Sequence, residues 1–363
     1  SVTRGILLER DNERMTALLP APSDSDVVTA FRLAAEALAA RGVVEVYDAG
    51  ALLYPGAVAL NLDFGRYLRL LVRTDSIAAL PLRINLMIPA PSALADSVMG
   101  APGGTVLSPR IRITHLKLFA DGALGSRGAA LSHRYADDSS TTGVARMTTE
   151  EIGALARRSL ARGLSVATHA IGDEAVHRTL DAYEAILRER KRIREGQLRI
   201  EHFSYGSEAD FKRAAQLGVI LSVQSTFNAS PGDSADLGAL RVGAANAARV
   251  YNWARLDQMG AVLAEGSDYF TAPGPALAGF RAVLERKYAL GQGLPDSAAR
   301  VLSYRLMATR SEPDGGKVDG VIRVGGVADL VAWTADPFRV GVGELDGVTV
   351  KLLVSQGRVL TPR

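Results

Sequence analysis

The sequence predicts an α/β fold: a (β/α)8 barrel of the TIM type lacking its first strand, followed by part of a small β-sandwich. Three observations predict it. Apolar strand-like runs alternate with helical patterns from about residue 24 to residue 311, which implies a parallel sheet with right-handed crossovers. Polar side chains recur at the C-terminal ends of several runs, as in barrel active sites, whereas a doubly wound sheet gathers its ligand site at one switch point. After residue 312 the helical period gives way to strands separated by turn residues.

Ser23 to Ser25 can cap a helix running to Ala40, with Val27, Val28, Phe31, Leu33, Ala34 and Leu38 at helical spacing. Gly42 ends it, and residues 43–49 (VVEVYDA) read as a strand. A second helix leads to a strand at 82–89 (LRINLMIP). The third strand lies in 110–122 (RIRITHLKLFADG), and a glycine-rich loop then precedes a helix at 148–162. Further strands follow at 165–173 (SVATHAIGD), 198–203 (LRIEHF), 219–226 (VILSVQST) and 261–269 (AVLAEGSDY), with helices between them. Helices near 275–290 and 296–308 close the series. Seven strands are one short of the eight that close a TIM barrel. Residues 1–311 are therefore assigned to the barrel and 312–363 to strands of a sandwich that needs further partners.

Composition excludes several classes. With 363 residues, 47% hydrophobic and 22% charged, the chain is an ordinary globular protein. Its 42 Lys+Arg against 39 Asp+Glu leave a net charge of +3, without the basic face of a nucleic-acid binder. The run RERKRIR (188–194) reads as a solvated helix end. No cysteines occur, which removes disulfides and thiolate chemistry and agrees with a cytoplasmic setting. No run of some 18 apolar residues suggests a membrane span, and the charged start SVTRGILLERDNERM is unlike a signal peptide.

The polar strand ends carry the chemistry. Alternation puts Ile113, His115, Lys117 and Phe119 on one strand face. A buried lysine needs a counter-charge or neutralisation, so Lys117 is either an ion-pair partner of a carboxylate such as Asp121 or a modified metal ligand. His169 shares a face with Ala167, and His202 with Leu198 and Ile200, while Glu201 points the other way. Each histidine alone suits a structural role; two at consecutive strand ends suit a metal, for which neutral imidazole is the commonest ligand. Asp268 follows the small residues Ala264 and Gly266 and can bind a metal and accept a proton from water, or cap a loop. Asp173 can orient a ligand or cap the next helix. No GxSxG elbow, HExxH motif or GxxxxGK loop is present.

These residues resemble the metal-dependent amidohydrolase superfamily, in the branch called amidohydrolase family 3, which includes N-substituted formamide deformylases. The resemblance rests on KLFADGALGSRGAAL (117–131), HAIGDEAV (169–176), RIEHF (199–203), GVILSVQST (218–226), EGSDY (265–269) and VGGVADLVAWTADPF (324–338). It implies a hydrolase that cleaves an amide, formamide or cyclic amide C–N bond with a water activated by one or two divalent ions, zinc foremost. Lys117 would be a carbamate bridge, His169 and His202 metal ligands, and Asp268 both ligand and proton shuttle. Asp121, Ser126, Arg127 and Gln224 would line the substrate pocket, with Asp173 behind the ligands. The partner expected is a small-molecule substrate, not nucleic acid or membrane; a homo-oligomer is compatible with the sequence. The family's opening His-x-His pair is missing, since no histidine precedes His115. The expectation is that the first strand, that pair and the remaining sandwich strands lie upstream of residue 1 or on a complementing chain. The alternative is a ligand-binding relative without turnover.

Overall fold

A computed structural model describes residue 20 and residues 22–50, 64–100, 105–189, 193–229, 234–269, 277–285, 294–311 and 317–360. The charged start of the chain, residues 190–192 of the basic run, and residues 275–276 and 286–290 of the helix expected near 275–290 lie outside these residues.

The seven expected strands form one parallel sheet in sequential order: β1 (Glu45–Asp48), β2 (Arg83–Pro89), β3 (Ile111–Phe119), β4 (Ser165–Ala170), β5 (Leu198–His202), β6 (Ile220–Val223) and β7 (Val262–Glu265). Each neighbour in sequence is a neighbour in space, the arrangement of a curled (β/α) barrel-like sheet. Among the described residues β7 and β1 do not pair.

Helices cover the outer face. α1 (Asp24–Ala39) starts where Ser23 and Asp26 form a reciprocal capping box. α2 (Phe64–Ala78) and α3 (Ala93–Gly100) flank β2. α4 (Thr149–Ala161) opens on a Thr148/Glu151 box and α6 (Glu208–Leu217) on a Ser207/Asp210 box, with α5 (Asp173–Glu189) between them. α7 (Ala235–Val242) and α8 (Trp253–Gln258) precede β7; α9 (Leu277–Leu284) and α10 (Asp296–Ala308) follow it. Among the described residues no helix is long and apolar enough to cross a membrane.

The sheet's two faces differ. Leu116, Leu118, Val166, Ile200, Leu221 and Val223 are fully buried in the core shared with the helices. Lys117, Arg199, Glu201 and Gln224 alternate with them and point into the barrel. One expectation is corrected. Leu86 pairs with Ile113 but Met87 pairs with His115, because the register shifts between them. Adjacent β2 residues face opposite ways, so Ile113 is on the helix side while His115 and Lys117 are inside.

The C-terminal segment holds a two-stranded pair, β8 (Thr309–Ser311) with β9 (Lys317–Asp319), and a three-stranded antiparallel sheet, β10 (Leu330–Trp333), β11 (Val350–Ser355) and β12 (Arg358–Leu360). The strand content after residue 312 is thus present. The opposing layer of a β-sandwich is not shown among the described residues. Asp329 meets Arg83 of β2 at 2.6 Å, and Phe338 packs edge-on against Phe280 of α9.

Candidate metal centre

At the C-terminal ends of the strands lies a cleft of about 2200 Å³ whose walls include Lys117, His169, His202 and Asp268. Register assembles it: Phe119 of β3 pairs with His169 of β4, and Ala170 with His202 of β5. The two imidazole rings approach to 4.5 Å between centroids at an interplanar angle of 69°.

His202 reaches this position by breaking alternation. It was expected on the face of Leu198 and Ile200, which lies toward the helices. Its φ of 80°, followed by 45° at Phe203, swings the ring to the cleft. Such left-handed conformations cost a non-glycine residue of order 1–3 kcal/mol and persist only where packing fixes them. Here Phe203 N–H donates to Ala170 O at 3.1 Å, and Phe227 stacks on the His202 ring at 6.0 Å. Asp268 also has positive φ, 48°.

The remaining ring contacts set which nitrogens are available. His202 Nδ1–H donates to Gln224 Oε1 at 2.7 Å, and the Gln224 amide donates in turn to Ser222 O at 3.0 Å. That leaves His202 Nε2 as the acceptor. His169 Nε2 is buried without a hydrogen bond; Asp121 Oδ1 is 3.4 Å away but misaligned. Burial, with its neighbours His202 and Lys117, holds His169 well below the usual histidine pKa. Burial likewise lowers His202, against the pull of Asp268. Both rings are neutral, as metal ligands must be.

Lys117 is 2% exposed. Burial brings its ammonium down to about 8, although Glu201 and Asp268 favour the charge; Nζ sits 5.0 Å from the Phe119 ring centre. Beneath it lies an ion pair that the strand pattern alone did not reveal. Arg199 Nε donates to Glu201 Oε1 at 2.5 Å and its Nη2 to Ser222 Oγ at 2.8 Å, with the guanidinium over Tyr47. Burial opposes the Glu201 carboxylate, but Arg199 and Lys117 overcome it and hold the group at about 2. The available signal was two charges two residues apart on an otherwise apolar strand, hence on one face. His115 is deeper still, bonded through Nδ1 to Thr114 Oγ1 at 2.8 Å, with Nε2 unpartnered.

The other expected positions divide: Asp121 and Gln224 line the cleft, whereas Ser126, Arg127 and Asp173 do not. Asp121 is buried and accepts from Ala130 N, Ile171 N and Gly172 N at 2.8–3.0 Å, fastening the 120–148 connection to the end of β4. Asp173 accepts from Ser132 N at 2.8 Å and Ser132 Oγ at 2.6 Å, so it ties down the same connection and does not orient an imidazole. Gln224 steadies His202. Ser126 and Arg127 are not in the cleft wall: Ser126 is exposed, and Asp137 holds Arg127 Nη2 at 2.8 Å. Two glycines make the close packing feasible. A Cβ at Gly143 (φ 85°) would lie 1.8 Å from Ala129 O, and one at Gly172 would lie 2.0 Å from Ala130 O.

Glu265, at the cleft wall, behaves as an acid kept neutral. Oε1 accepts from Ser225 N at 3.1 Å and Ser225 Oγ at 2.5 Å, while Oε2 is shielded and unpartnered. Burial raises its pKa to about 8 against those two bonds. A raised carboxyl pKa contributes stability that is full below the unfolded value near 4.5 and is lost as pH rises through 8. Glu265→Gln should therefore stabilise the fold at pH 8 by on the order of 2 kcal/mol relative to its effect at pH 5. Urea unfolding at the two pH values tests this; an equal effect at both would contradict a neutral Glu265.

Two neutral imidazoles with available nitrogens, a depressed lysine and a nearby carboxylate suit a divalent ion in donor chemistry. The set is incomplete on its own, since among the described residues no three His, Cys, Asp or Glu side chains converge on one ion position.

The fold and this polar centre define a barrel-like α/β protein with its chemistry at the C-terminal strand ends. The chain belongs to the amidohydrolase family, whose sequence pattern matches residues 3–361. It is 31% identical over 261 residues to YtcJ of Bacillus subtilis (strain 168) and 30% identical over 285 residues to LONG AFTER FAR-RED 3 of Arabidopsis thaliana. These matches take in 69% and 78% of the chain, but it spans only 48% of each relative. Among solved structures, it is similar to an uncharacterized metal-dependent hydrolase from Pyrococcus furiosus, with 28% identity and a TM-score of 0.65 over 84% of this chain and 59% of that one. A second, from Pyrococcus horikoshii OT3, shows 25% identity and a TM-score of 0.64 over 89% and 62%.

Proposed function

We propose that this chain carries most of the active centre of a metal-dependent hydrolase that cleaves the C–N bond of a small amide, formamide or cyclic amide. The observation that carries the reading is the approach of His169 and His202, both neutral and each with a nitrogen available, beside buried Lys117. A divalent ion, zinc foremost, would supply Lewis acidity, lowering the pKa of an attacking water and polarising the scissile carbonyl. His169 Nε2, His202 Nε2 and Asp268 are the residues to hold it. Lys117 joins them once its neutral amine adds CO2 and releases a proton, becoming a carbamate whose anionic oxygens replace a costly buried ammonium. Asp268 then takes the proton of the attacking water and returns it to the leaving nitrogen. Gln224 keeps His202 in the correct tautomer. No His-x-His pair occurs in this sequence.

Elemental analysis of the full-length gene product is expected to find near-stoichiometric zinc or a similar ion, and chelation should abolish amide hydrolysis until zinc is returned. Protein without metal and without zinc-restored activity would exclude the reading. The incomplete ligand set favours a second one, a ligand-binding relative without turnover; metal-independent binding of amides without cleavage would select it.

A further inference from the structure

Arg146 stands at the wall of the same cleft, exposed, and among the described residues its side chain has no hydrogen bond or ion pair. The neighbouring cations differ. Arg199 is occupied by Glu201, Ser222 and the Tyr47 ring, Lys117 is buried, and Arg127 is held by Asp137 outside the cleft. The Arg146 backbone is nevertheless fixed. Its N–H donates to Ala120 O at 2.8 Å, one residue beyond β3, and Met147 behind it is buried before Thr148 caps α4. Its charge reaches both Asp121 and His169. Phe119, Met147 and Phe227 are among the apolar side chains that line the same cleft.

We propose that Arg146 recognises a carboxylate of the substrate, so that the molecule taken into the cleft joins an apolar group to an acid through the amide. A guanidinium fork matches a carboxylate with two parallel bonds. A phosphate dianion would add more negative charge than a carboxylate to a cleft whose lining includes Asp268 and Glu201. The proposal rests on the hydrolase reading only for the fate of the amide, not for recognition of the acid.

The test compares N-benzoylglycine with N-benzoylglycinamide, which has a neutral amide in place of the carboxylate. Binding is measured by titration calorimetry in an Asp268→Asn background, to prevent turnover. The acid should bind about tenfold more tightly than the amide. Adding Arg146→Gln should bring the two within about twofold, Arg146→Lys should keep part of the preference, and Arg127→Gln should keep all of it. Equal binding in the parent, a preference that survives Arg146→Gln, or no binding of either compound would overturn the proposal. Discrimination by the parent without cleavage of either compound by the unmutated protein would count against the hydrolase alone. Cleavage of both at equal rates, unaffected by Arg146→Gln, would count against the carboxylate site alone.

Discussion

Asp268→Asn is expected to lower kcat for amide hydrolysis by about a thousandfold while leaving the fold intact. The substitution keeps the size of the side chain and removes its negative charge together with its capacity to take up a proton. It also suits the backbone, because asparagine tolerates the left-handed conformation that Asp268 adopts at φ 48°. The loss should appear in kcat at saturating substrate, with circular dichroism and the unfolding midpoint close to the parent. Substantial activity in the variant would remove Asp268 from the proton-transfer role, whatever its part in holding an ion.

Glu201→Gln is expected to be the most destabilising single change in the barrel interior, at about 3–5 kcal/mol. The wild-type carboxylate faces Arg199 directly and is coupled to Lys117. Glutamine would leave the Arg199 guanidinium buried without its counter-charge. Chemical denaturation at neutral pH should show the loss, and Arg199→Met combined with Glu201→Leu should cost less than Glu201→Gln alone, since neither charge of the pair then remains. The pH dependence has a definite sign. With its folded pKa held at about 2, Glu201 contributes stability that is full above the unfolded value near 4.5 and is lost as pH falls toward 2. A variant as stable as the parent at pH 7 would mean that the pair contributes nothing net.

Most of the frame was legible because barrel units repeat a local rule. An apolar run, a turn and a capped helix announce themselves, as Ser23, Thr148 and Ser207 show. The site was legible only where that rule held. Lys117 and His169 face the cleft as alternation requires. His202 arrives there through a positive φ that no pattern of residue types encodes. Glu201 lies on the face opposite Ile200, as alternation requires, but its pairing with Arg199 escaped notice because residue types on a strand do not announce that two charges satisfy each other inside a barrel. Arg127 was the arginine the sequence offered as a substrate contact, and Asp137 holds it outside the cleft. Asp173 offered two roles on paper, and Ser132, forty-one positions earlier, took its carboxylate.

The fastening of residues 120–148 bears on how molecules enter and leave. Long connections above a barrel mouth are where enzymes often place a moving lid. This one is clamped by Asp121 to the end of the strand that bears His169, and by Asp173 to the helix that follows. Its backbone lies so close to Gly172 that no side chain could separate them. The stretch around Asp121, Ala130 and Ser132, held that way, is fixed against the large movement a lid needs. Asp268 and the exposed Tyr269 border the same cleft, so the carboxylate proposed for proton transfer is set beside a side chain open to solvent.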